Sequence, residues 1–76
     1  MSIQDEALSG KVRNAIAQDK RISGQAIAVR VAESEVFLKG VVDTQEQLDL
    51  TIMVANGIPG IKRVNVYELR VREVAE

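Results

Sequence analysis

Two runs, QAIAVRVA and EVFLKGVV, stand almost back to back, parted by the short polar stretch Glu33, Ser34, Glu35. In the first, Ile27, Val29 and Val31 alternate with Ala28, Arg30 and Ala32; in the second, Val36, Leu38, Gly40 and Val42 alternate with Phe37, Lys39 and Val41. Successive side chains of a strand point to opposite faces, so each run has one apolar face to cover and one mixed face. The shortness of the link makes the pair a hairpin. Whatever else this chain does, it must supply something to lie on the apolar side.

The flanking segments read as helices. Upstream, Ser2 can cap a helix whose Leu8, Val12, Ala15 and Ile16 share one stripe. Gly10 lies opposite that stripe and costs about 1 kcal/mol relative to alanine, which predicts a soft middle or a late start. DKRISG, Asp19 to Gly24, ends the helix, with Ile22 as a buried anchor. Downstream, Asp43 or Thr44 caps a second helix, since Glu46 and Gln47 stand where a capping box needs them. Its inward stripe is expected to be Leu48, Thr51, Ile52, Ala55 and Ile58. That leaves Leu50 and Met53 outward with Val54 at the margin, more apolar surface than one buried face requires.

A last strand carries Val64 and Val66, then Leu69 and Val71, so the apolar parity slips by one. A bulge at Tyr67 and Glu68 keeps all four inward. The order is helix, strand, strand, helix, strand. This is an α+β fold, α-β-β-α-β, a small three-stranded mixed sheet with two helices packed on one face. Seventy-six residues are expected to form one domain, 1–76.

The stretch NGIPG, Asn56 to Gly60, invites comparison with a phosphate-cradling loop. Such a loop leads into a helix N-terminus, where free N–H groups and the positive dipole end meet the anion. This one leaves a C-terminus, where unpaired carbonyls repel anions. Gly57 is therefore expected as a left-handed cap, Pro59 as the block to continuation, and Gly60 as the residue that permits a tight entry to the last strand.

Composition excludes several kinds of chemistry. The chain has neither cysteine nor histidine, which removes thiolate nucleophiles, sulfur-bound zinc and the commonest general base. Ten basic and eleven acidic residues give a net charge of −1, without the positive field that nucleic-acid binding needs. The acid pairs Asp5 and Glu6, Glu33 and Glu35, and Asp43 and Glu46 read as caps, turn residues and exposed charge. No enzyme, metal site or cofactor is expected.

The joint spacing of Leu8, Val12, Asp19, Ile22, Ile27, Val29, Val36, Leu38, Gly40, Val42, Ala55, Ile58, Gly60, Ile61, Val64, Leu69 and Val71 resembles the BON domain, named for bacterial osmotically induced and nodulation proteins. Two departures stand out: Ser34 where the family's hairpin usually carries glycine, and one extra residue between Val64 and Leu69. The resemblance implies a non-catalytic module, often periplasmic or envelope-associated, with a proposed role in binding phospholipid, and elsewhere an accessory or ligand-sensing unit. It places the chain in the periplasm or envelope; the chain as it stands, if complete, would be cytoplasmic.

Two surfaces are candidates. With both helices on one face, the open face presents Arg30, Phe37, Lys39, Tyr67, Arg70 and Arg72, aromatic rings and cations suited to an anionic phospholipid or membrane surface, with Glu35 and Glu68 interrupting the charge. Leu50, Met53 and Val54 form an outward apolar patch suited to a protein partner or a homodimer. A solvated sheet face and a stripe covered by the first helix are the plainer alternatives. Binding of a small ligand or ion by a flexible region is a third functional class.

Overall fold

The computed structural model describes residues 3–24 and 26–72. The elements follow in the expected order: α1 (Ile3–Gln18), β1 (Ala26–Ala32), β2 (Glu35–Val42), α2 (Gln45–Asn56) and β3 (Arg63–Val71). β1 and β2 pair antiparallel and β2 and β3 parallel, in the spatial order β1-β2-β3. Connection length dictates this mixture: a tight turn can only reverse the chain, whereas the stretch holding α2 is long enough to cross over and return parallel.

α1 buries Leu8, Val12 and Ile16 on the expected stripe, together with Asp5 and Ser9. The expected cap, Ser2, lies outside the described residues. The helix begins at Ile3 and runs unbroken through Gly10, so the late start does not occur. Ile22 is fully buried in the following turn, where the amides of Ile22 and Ser23 both donate to the Asp19 carbonyl.

The second strand spans EVFLKGVV as expected, which leaves only two residues of the polar stretch for the link. Glu35 already belongs to β2, paired with Ala32, so the turn is Glu33 and Ser34 alone. Both have positive φ, 52° and 65°, the primed turn whose twist matches that of the flanking strands. Gly40 sits at the crossing of all three strands, opposite Ile27 and Leu69. Its φ is +139°, and a Cβ there would collide with the Ala26 carbonyl oxygen, so no other residue fits without moving β1.

α2 is capped by Thr44, not Asp43. The Thr44 hydroxyl accepts from the Gln47 amide at 3.1 Å, and Gln47 Oε1 accepts from the Thr44 amide at 3.2 Å. Thr51 and Ala55 are fully buried, the Thr51 hydroxyl donating to the Gln47 carbonyl at 2.7 Å. Leu50 and Val54, expected outward, and Ile52, expected inward, are all half-buried, but only Leu50 and Val54 pack against the core. The helix meets α1 on one flank and β2 and β3 beneath, so its buried arc is wider than one stripe and turned towards Leu50.

Gly57 is not left-handed. It stays in the right-handed helical region at φ −79°, ψ −7°, its amide donating to the Met53 carbonyl at 3.0 Å. The helix tightens into turns through Ile58 and Ile61, and the positive φ, +101°, falls at Gly60. A Cβ on Gly60 would lie 3.0 Å from Leu8 Cδ2, so this glycine lets the loop close against α1.

β3 carries the expected bulge. Asn65 faces Phe37 and Glu68 faces Lys39, leaving Val66 and Tyr67 together opposite Leu38. The extra residue sits about one position earlier than expected and restores the inward parity of Leu69 and Val71.

Candidate functional site

Neither helix covers the outer face of the sheet. Register fixes its rows: Arg30, Phe37 and Asn65 lie side by side, then Ala28, Lys39 and Glu68, then Ala26, Val41 and Arg70. The Arg30 guanidinium lies over the Phe37 ring, 4.6 Å from its centroid, a contact contributing about 0.5–1 kcal/mol at an exposed site. Lys39 and Arg70 are exposed. Ala28, Arg30, Phe37, Lys39 and Glu68 line one shallow depression.

Two of the six residues expected on this surface stand apart from that cluster. Tyr67, 91% exposed, lies in the bulge beside Asn65, whose side-chain oxygen accepts from its amide at 3.1 Å. It borders a separate hollow with Glu35 and Arg63 at the β3 edge, where the bulge carries it. Arg72 lies past the strand end, its Nη1 3.0 Å from Asp43 Oδ1, and its charge is matched there. The cluster is therefore Arg30, Phe37, Lys39 and Arg70, with Glu68 as the acid in its midst.

On α2, only Met53 of the expected trio is outward, 63% exposed. The apolar patch reduces to Met53, with Ile52 half-buried beside it.

The acids take structural places. Asp19 accepts from Arg21 Nη2 at 2.7 Å, Arg21 Nε at 3.0 Å and the Arg21 amide at 2.9 Å. The hydrogen bonds from the Arg21 side chain, then that from its backbone, hold the Asp19 carboxyl at about 2. Asp5, grouped in the sequence with exposed charge, is buried: its carboxylate accepts from the amides of Glu33 at 3.1 Å and Ser34 at 3.3 Å. No local pattern reveals this contact across 28 positions. Its one trace is Ser34 at a turn position where glycine is usual. Among the described residues, no three acids come together in a way that could hold a metal, and no helix is long and apolar enough to cross a membrane.

The architecture is that of a small two-layer α+β domain, two helices on one face of a three-stranded mixed sheet and the other face open. The family model of the BON domain matches residues 4–73. The chain belongs to the BON domain family. It is 31% identical over 74 residues to osmotically-inducible protein Y of Escherichia coli (strain K12), an alignment covering 97% of this chain and 36% of that protein. A solved structure, the C-terminal domain of CdsD, the structural protein of the type III secretion system of Chlamydia trachomatis, is similar with a TM-score of 0.72 over 91% of this chain and 34% of that one. At 13% identity the likeness concerns the fold alone.

Proposed function

We propose that this chain is a non-catalytic module of an envelope or stress-response protein and meets anionic phospholipid surfaces with its open sheet face. The observation that carries the reading is the stacking of Arg30 on Phe37 at 4.6 Å beside the exposed Lys39 and Arg70. The Phe37 ring adds apolar area that can enter the headgroup–acyl boundary, and cations held around it meet the phosphates. The stress-related part rests on the family and on the osmotically inducible relative, of which the chain spans 36%. Three cations against Glu68 leave a net charge of two, worth about 2 kcal/mol near an anionic surface, or roughly thirtyfold in partitioning.

Co-sedimentation with phosphatidylglycerol-containing vesicles, compared with neutral vesicles at low and high salt, tests this. Preference for anionic vesicles that fades with salt supports it; equal partitioning sinks it. A second reading, contact with a protein partner or a second copy, is favoured by one observation, the 63% exposure of Met53 on α2. Sedimentation across a concentration range, with Met53→Glu as control, tests the second-copy form.

A further inference from the structure

The two edges of the sheet are defended unequally. β3 carries the devices that deter a foreign strand, a bulge and the charges of Arg63, Glu68 and Arg70. β1, AIAVRVA, pairs regularly over seven residues with no bulge, proline or lysine. Its one charge, Arg30, is drawn back over Phe37 on the neighbouring strand. In a two-residue hairpin the closing pair, here Ala32 and Glu35, exchanges its hydrogen bonds, and alternation turns the backbone groups of Ile27, Val29 and Val31 to the free edge. Among the described residues, no other backbone group bonds to them.

α1 runs beside this edge and leaves a groove in two parts that meet at Arg13 and Val29. One part is lined by Ile16, Ala17, Ile22, Ser23, Gly24 and Ile27. The other is lined by Glu6, Ser9, Arg30 and Val31. Arg13 is exposed at the junction; its Nη2 donates to the Ser9 hydroxyl at 3.2 Å, and among the described residues it makes no ion pair.

We propose that this edge and groove accept an extended segment of another protein, which adds as a fourth strand beside β1. Alternate aliphatic side chains lie against the accessible Ala17, Ile27 and Val29, and a carboxylate meets Arg13. Main-chain hydrogen bonds supply affinity and the alternate side chains supply selectivity. Width disfavours a second copy paired antiparallel: strands lie about 4.8 Å apart while a helix occupies about 10 Å, so a copy joined that way through its own β1 crowds its α1, on the same face, against this one. It also sets Arg13 near its symmetry mate. A bare acidic strand brings neither conflict, and Glu6 at the far rim confines the acidic preference to one position.

The test is an amide titration of the full chain with the capped peptide Thr-Val-Thr-Val-Thr-Glu-Thr. One control replaces its glutamate by lysine, and another is N-methylated at alternate residues so that it cannot pair. The expected result is shifts and slowed amide exchange at Ile27, Val29 and Val31, binding about tenfold weaker for the lysine peptide as one charge-assisted contact is lost, and none for the methylated one. Arg13→Glu, an exposed substitution that leaves the core intact, is expected to reverse the order of the glutamate and lysine peptides. Equal binding by all three peptides, shifts confined to α2 or the open sheet face, or no shift at millimolar peptide overturns the proposal.

Discussion

Asp5, in the first turn of α1, and Ser34, at the tip of the hairpin, are joined by a hydrogen bond of 3.3 Å across 29 positions of sequence, and the neighbouring Glu33 amide donates to the same carboxylate at 3.1 Å. Both turn residues hold positive φ without being glycine. The carboxylate offsets that cost by satisfying two amides that a tight turn leaves unpaired, and the Lys62 amide secures the same tip by donating to the Ser34 carbonyl at 2.8 Å. Helix, hairpin and the approach to β3 are thus fixed at one point.

Asp5→Ala is expected to destabilise the domain by about 2–3 kcal/mol, since two charge-assisted bonds are lost in a buried setting. Ser34→Gly is expected to stabilise it by about 1 kcal/mol by relieving the left-handed conformation. Urea unfolding of both variants checks this; a loss below about 0.5 kcal/mol for Asp5→Ala refutes the clamp.

The glycines around α2 separate by conformation. Gly60→Ala is expected to cost about 2 kcal/mol, from positive φ and pressure on Leu8, whereas Gly57→Ala, in right-handed geometry, is expected to be neutral within about 0.5 kcal/mol. Gly40→Ala is expected to prevent stable folding, read as loss of the cooperative thermal transition. Similar melting points for the Gly57 and Gly60 variants would contradict the assignment of the left-handed turn.

If the open face meets anionic lipid, Lys39→Glu changes the local charge by two and is expected to weaken vesicle binding about thirtyfold. Removing the matched pair together, Arg72→Ala with Asp43→Ala, is expected to change it less than about twofold, because the pair contributes no net charge. Equal effects in co-sedimentation would disconnect binding from the Arg30, Phe37, Lys39 and Arg70 cluster.

Asp19 has a folded-state pKa of about 2, below the ordinary 3.8. A depressed carboxyl stabilises the fold fully above the unfolded value, and its contribution fades as pH falls from about 4 through about 2. Carbon-detected titration of the Asp19 carboxyl is expected to show the low midpoint, and Arg21→Gln to return it towards 3.8. An unchanged midpoint in that variant would remove Arg21 as the cause.

Alternation and spacing in the sequence determined the five elements, their order, the hairpin, the bulge and the parity that sets Arg30, Phe37, Lys39 and Arg70 on one face, because these follow from local periodicity. Three features were decided only by tertiary packing. The rotation of α2, which packs the half-buried Leu50 and Val54 against the core and leaves Met53 outward, depends on α1 and the sheet pressing from different sides, and helical periodicity cannot choose between two apolar arcs. The left-handed turn falls at Gly60 because the loop must close against Leu8, a contact far away in sequence. Asp5 becomes a buried clamp because folding brings the start of α1 to the hairpin tip, and a carboxylate's partner at such separation is a property of topology, not of its neighbours in the chain.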